Sequence, residues 1–191
     1  CAFYQSSIEK VSIPFNLTEI HESAFYECRN LKEIEIPMNS KLRLFGRDSF
    51  AYSAIKSLFI PPQISKLPLK LFSHCTQLTS IEIPENTELK IIENGAFKDS
   101  SIESLYIPSC LEKLDEEWAI NTRKLNEIKI SPYNPYFKLY ENKFIIGKSS
   151  QEKENFDVLI FCNRDVKTVT IPSFIKHIAS FAFNECKQLK T

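Results

Sequence analysis

The chain has 191 residues, 43% of them hydrophobic, which is enough for one ordered domain with its own core. Its 24 basic residues equal its 24 acidic ones, a balance that argues against a nucleic-acid binder, which carries a basic excess or stripe. The longest apolar runs, such as "VLIFC" at 158 to 162, are too short to span a bilayer, and no charged-then-apolar leader opens the chain.

A seven-residue phrase recurs along the chain. After "AFYQSSIEKVSIP" (2–14) come "LKEIEIP" (31–37), "IKSLFIP" (55–61), "LTSIEIP" (78–84) and "IESLYIP" (102–108). "LNEIKIS" (125–131) keeps all but the proline. Prolines 14, 37, 61, 84 and 108 are spaced 23, 24, 23 and 24 residues apart, and Ser131 takes the next slot after 23. A fixed period in this range means stacked units.

Each unit begins with an apolar pair three residues apart: Leu17 and Ile20, Leu42 and Phe45, Ile64 and Leu67, Leu89 and Ile92, Leu111 and Leu114, Ile175 and Ile178. Five residues after the pair stands a phenylalanine: Phe25, Phe50, Phe72, Phe97 or Phe183. The phrase LxxIxI then puts its last two apolar residues on one face of a strand, and proline ends that strand. Strands are expected near residues 11, 34, 58, 81, 105, 128 and 169, paired in parallel. One unit cannot offset roughly 1–2 kcal/mol of backbone entropy per residue with some six apolar side chains worth about 1.5–3 kcal/mol each. Stacking lets neighbours share a core.

The unit at 111–125, "LEKLDEEWAINTRKL", lacks the Ala-Phe pair. Its apolar residues at 111, 114, 118 and 125 predict a helix, with Trp118 in the aromatic slot. Beyond it the period breaks, for 41 residues separate Ile130 from Ile171. Within that gap "YFKLY", "KFIIG" and "DVLIF" read as three short strands of an antiparallel excursion. The apolar-free "KSSQEKEN" (148–155) reads as a mobile, exposed loop. The chain thus divides into regular repeats (1–131), an island (132–165) and resumed repeats (166–191). It begins and ends inside repeats, so it is expected to be one domain cut from a longer array.

With Ala-Phe, a cysteine or serine three residues on, and LxxIxIP, the chain resembles the BspA-like class of leucine-rich repeats over nearly its whole length. The resemblance and the pattern imply an α/β-type, right-handed repeat solenoid. It would have one parallel sheet of about seven strands, few helices and an antiparallel hairpin island. The island turn reads "EN" (141–142) where the family often carries Asp-Gly, and Asn still adopts the left-handed turn conformation. The resemblance further implies a surface or secreted protein that binds extracellular-matrix or host cell-surface proteins.

The residues point to no catalyst, cofactor or metal. Cys28, Cys75 and Cys186 share one repeat slot, filled by Ser6, Ser53 and Ser100 in other units, and read as small buried thiols. No CxxC occurs, His21, His74 and His177 fall in three repeat phases, and three glycines make no phosphate loop. "NLT" at 16–18 is a glycosylation sequon.

The outward strand column reads Ser12, Glu35, Phe59, Glu82, Tyr106, Lys129 and Thr170. The fold requires no exposed ring there, so Phe59 and Tyr106 are candidate anchors, with Glu35, Glu82 and Lys129 setting the partner's charge. Strand propensity alone also favours aromatics. Two functions compete: non-enzymatic adhesion at the cell surface, and an intracellular scaffold using the same face. Neither involves nucleic acid or membrane insertion by this segment.

Overall fold

The computed structural model describes residues 1–150 and 152–190. Fifteen short strands follow one another in chain order. They are β1 (Lys10–Ser12), β2 (Glu19–Ile20), β3 (Glu33–Glu35), β4 (Leu44–Phe45), β5 (Ser57–Phe59), β6 (Lys66–Leu67), β7 (Ser80–Glu82), β8 (Ile91–Ile92), β9 (Ser104–Ile107), β10 (Lys113–Leu114) and β11 (Glu127–Ile130). The island supplies β12 (Phe137–Tyr140), β13 (Phe144–Gly147) and β14 (Val158–Cys162), and β15 (His177–Ile178) follows. The molecule is a solenoid of about seven turns, with no helix among the described residues.

Six of the seven predicted strands form, as β1, β3, β5, β7, β9 and β11, and every pairing among them is parallel. They hydrogen-bond as β1–β3, β5–β7 and β9–β11. Those are the coils whose proline slots, Ser131 in the last, lie 23 residues apart; the ladder lapses where the spacing is 24. The extra residue carries the next strand out of bonding position.

A second ladder runs along another wall, built on the apolar pairs: β2–β4 and β6–β8–β10, all parallel. The sequence pattern marked its residues but did not mark it as sheet. Between the ladders each coil turns on residues in the left-handed conformation. Glu27, Tyr52, His74, Asp99, Asn121 and Glu185 all have φ between 55° and 61°. Gly46 lies where a Cβ would stand 2.2 Å from the backbone nitrogen of Glu22, so only glycine fits that close approach.

The core is a continuous column along the stack. Leu31, Leu42, Ile55, Ile64, Leu78, Leu89, Ile102 and Leu111 are fully buried. The aromatic slot is a ladder of rings: Phe3, Phe25, Phe50, Phe72 and Phe97 stack nearly parallel, with centroids 5.1 to 5.9 Å apart. Trp118 continues it edge-on at 6.3 Å from Phe97, and Phe161 follows at 5.4 Å. Phe183 lies off this ladder: it is half-buried and meets Phe144 edge-on at 6.3 Å, in a second, smaller cluster.

The predicted helix at 111–125 does not form. Lys113–Leu114 pairs in parallel with Ile91–Ile92, and residues 116–121 make successive tight turns. The reason is the neighbouring coil: Gly95, Phe97 and Asp99 donate their N–H groups to the carbonyls of Glu117, Trp118 and Ile120. A helix would withdraw those carbonyls into its own i→i−4 bonds.

The seventh strand, expected near 169, is also absent, and residues 166–172 are irregular. After β11 the chain turns at once into β12, which packs beside it. The resumed coil meets Asn126 through its side chain, whose Oδ1 accepts from Arg164 N (3.0 Å) and Asp165 N (3.1 Å).

The island is the predicted excursion. β12, β13 and β14 form an antiparallel meander, and β14 pairs in parallel with β15, rejoining the solenoid. Glu141 and Asn142 both have positive φ (49° and 53°), and Lys143 N donates to Tyr140 O at 3.0 Å, a type I′ turn. Of 148–155, residues 149, 150 and 152–155 are exposed and Lys148 is half-buried, while Gln151 lies outside the described residues.

Candidate protein-binding face

The outward side chains of β5, β7, β9 and β11 lie on one face because residues two apart on a strand share a side. Phe59 is opposite Glu82 in the β5–β7 register, and Tyr106 is opposite Lys129 in β9–β11. Both rings are half-buried, and Tyr106 also packs against the core. Glu82 and Lys129 are exposed and form no ion pair among the described residues.

Glu35 stands apart from this group. It lies on β3, opposite Ser12, whose Oγ donates to its carboxylate at 2.6 Å, and Lys10 pairs with it at 2.5 Å. The Lys10 ammonium and then the Ser12 hydroxyl hold its carboxyl below the usual range. Its charge is thus engaged within the chain. The structure brings Phe59 with Glu82 on one strand pair and Tyr106 with Lys129 on a second, and leaves Glu35 on a third.

At the end of this face a groove of about 830 Å³ opens between β11 and the island. Lys129 and Ile130 line one side, Lys138 and Leu139 the other, and Asn134 and Asn163 the ends. Asn163 is 7% exposed, and its Oδ1 has no partner. Sequence reasoning missed this groove because it exists only where β12 displaces the expected strand. One signal was available: Asn134 follows Ser131 by three residues, the spacing at which Leu17 follows Pro14.

The histidines stay apart in role: His21 and His177 are exposed, and His74 lies 3.5 Å from Asp99 and stacks on Tyr52. All six cysteines are free, and Cys28 and Cys75 are buried. Asn16 of the sequon is exposed.

The fold and this face define a leucine-rich repeat solenoid, a class of protein-interaction modules. The model for the BspA-type leucine-rich repeat region matches residues 1–126 and 154–191, in six copies, and the chain belongs to that family. The residues it leaves out, 127–153, cover β11, the first two island strands and part of the following loop.

Three solved structures share the fold. They are the pneumococcal vaccine antigen PcpA (TM-score 0.84, 21% identity), a leucine-rich cell surface protein from Faecalibacterium prausnitzii A2-165 (0.70, 18%) and a leucine-rich repeat protein from Bacteroides ovatus ATCC 8483 (0.68, 22%). Each alignment covers 95% of this chain but 44%, 62% and 44% of those chains respectively. No curated protein sequence matches the chain.

Proposed function

We propose that this chain is a non-enzymatic protein-binding module of a cell-surface or secreted protein, and that it adheres through the strand face of β5 to β11. The carrying observation is the pair of half-exposed rings, Phe59 and Tyr106, each in register with a charged residue that forms no ion pair among the described residues. Rings that are part packed and part exposed are cheap to desolvate and rigid, which is what interface anchors need. The surface location is supported by the named kinships, a vaccine antigen and a cell surface protein. The competing reading, an intracellular scaffold, uses the same face for a cytoplasmic partner.

The test is binding of the unaltered chain and of the Phe59→Ala/Tyr106→Ala double variant to matrix proteins such as fibronectin and fibrinogen, with circular dichroism as the folding control. A loss of about 2 kcal/mol or more per ring anchor is expected. Unchanged affinity in a folded double variant moves the site off this face and to the island groove. Surface labelling of intact cells making the full-length protein separates the two locations; labelling confined to lysed cells removes the adhesion reading.

A further inference from the structure

Arg164 is a buried cation with no carboxylate partner among the described residues. It is 4% exposed and forms no ion pair among the described residues. Its Nη1 donates to the carbonyls of Cys162 (3.3 Å) and Ala182 (3.1 Å), and its Nη2 to that of Ala119 (3.5 Å). Its guanidinium lies over the Phe161 ring, 4.1 Å from the centroid, and its Nε has no partner. All of these neighbours are neutral, and a buried charge without a counter-ion costs several kcal/mol, roughly. The adjacent acid Glu185 is engaged elsewhere, by Arg123 at 3.2 Å and Lys187 at 2.9 Å. What remains beside the guanidinium is the sulfur of Cys186, 3.9 Å from Nη1.

The repeat supplies an internal comparison. Cys28 and Cys75 occupy the same slot as Cys186, and their thiols donate to the carbonyls of Phe3 and Phe50 in the preceding coil at 2.9 and 3.0 Å. At Cys186 the corresponding distance, to Cys162 O, is stretched to 3.9 Å. Arg164 has taken that carbonyl. The Cys186 thiol faces that carbonyl and Asn163 O, at 3.7 Å, both well beyond the distances of its repeat counterparts, and has gained a cation.

We propose that Cys186 is an ionised thiol at neutral pH, the counter-ion of buried Arg164, and a site of covalent modification by disulfides and other thiol-directed electrophiles. The neighbouring Cys162 thiol and then the Arg164 guanidinium pull its titration down to about 6, against burial and the nearby Asp165. Cys162, whose thiol donates to Asn163 O at 3.4 Å, is pushed up by its neighbour Cys186 and by burial, and stays protonated. Cys75, wholly enclosed, is pushed up to about 11 by burial and is inert.

The chemistry is thiol–disulfide exchange. The Cys186 thiolate attacks one sulfur of a small disulfide RS–SR; a new S–S bond forms, the old one breaks, and RS⁻ leaves with the electron pair. Modification consumes the thiolate and strands Arg164, which ties the island to the resumed coil through the carbonyls of Cys162 and Ala182. The slot is therefore a redox-sensitive latch between the two.

The experiment is iodoacetamide alkylation of the chain from pH 5 to 9, read residue by residue by peptide mass spectrometry, with oxidised glutathione as a second probe. The expected midpoint for Cys186 is near pH 6, and Arg164→Gln moves it up toward the ordinary thiol value of about 8.5. A midpoint near 8.5 in the unaltered chain, or one that Arg164→Gln does not move, overturns the proposal. Should Arg164→Gln fail to fold, Cys186→Asp and Cys186→Ser decide the matter. The carboxylate keeps a charge beside Arg164 and should give the higher Tm at pH 7. A serine variant as stable as the aspartate variant overturns the ion pair.

Discussion

Asn134 Nδ2 donates to the carbonyl of Leu111, one coil below it, at 3.0 Å, and Asn134 stands where the repeat expects another Leu111. The same amide nitrogen reaches Pro108 O at 2.7 Å, and its Oδ1 accepts from the N–H groups of Tyr136 and Phe137 at 2.8 Å. Four bonds converge on one side chain that is 4% exposed. Asn134 thereby turns the last regular coil into the first strand of the island.

Replacing it by leucine restores the repeat's apolar residue but takes this partner from Leu111 O, Tyr136 N and Phe137 N, while Pro108 O keeps Leu111 N at 3.2 Å. Each buried group left unpaired costs about 1–3 kcal/mol. Asn134→Leu is expected to destabilise the chain by at least about 3 kcal/mol in urea unfolding, despite the more apolar core. A variant as stable as the parent would show that the island does not need this anchor.

The regular coils were legible because each strand repeats the same local rule: Ile34, Leu58, Ile81, Leu105 and Ile128 all face inward, as their spacing requires. The three island strands were legible from composition and turn chemistry. The helix at 111–125 was misread because periodicity reports only which residues are apolar. It cannot say that Glu117, Trp118 and Ile120 must offer their carbonyls to the coil beneath. The strand near 169 was misread for a related reason. "VKTVTIP" carries the phrase intact, but β12 already stands beside β11. At the candidate site, the outward column was readable; the groove, the engagement of Glu35 and the buried Arg164 arise from neighbours far apart in sequence.

The aromatic ladder predicts a steep cost for truncation at its centre. Phe72 is fully buried between Phe50 and Phe97, at 5.9 and 5.6 Å. Phe72→Ala removes a ring whose two neighbours belong to adjacent coils and cannot close the gap without moving the stack. A loss of about 3–5 kcal/mol is expected by chemical denaturation. Phe183→Ala, in the smaller island cluster and half-buried, should cost distinctly less, and equal losses would contradict the weight given to the central column.

Asp157 fastens the exposed island loop. It accepts from Ser149 N (2.8 Å), Ser149 Oγ (2.9 Å) and Lys153 Nζ (3.0 Å). The Ser149 N–H and then the Lys153 ammonium hold its carboxyl well below the usual carboxylate range. A depressed acid stabilises the fold above its unfolded pKa, about 3.9, and that contribution is lost as pH falls through the folded value. The loop should therefore stay fastened at neutral pH and loosen only in strong acid. Asp157→Asn should loosen it at pH 7, read as faster proteolytic cleavage between Lys148 and Phe156. Cleavage no faster than in the parent chain would mean that the loop is held by other contacts.

The charges on the strand face predict how a partner arrives. Glu82 and Lys129 are exposed and form no ion pair among the described residues, whereas Glu35 is engaged by Lys10 and Ser12. Free rim charges steer encounter and set its salt dependence, while buried anchors set the lifetime of the complex. For any matrix protein that the chain binds, reversal at Glu82 or Lys129 should change the association rate and its slope with ionic strength, and leave dissociation within about threefold. Phe59→Ala and Tyr106→Ala should do the opposite, speeding dissociation with little effect on association. Glu35→Lys should act mainly on stability, through the lost contacts with Lys10 and Ser12, and hardly on association. Stopped-flow or surface-plasmon kinetics at low and physiological salt separate these outcomes. If Glu35→Lys alters association as strongly as Lys129→Glu, the partner reaches β3 as well, and the contact surface extends across the lapse in the ladder between β3 and β5.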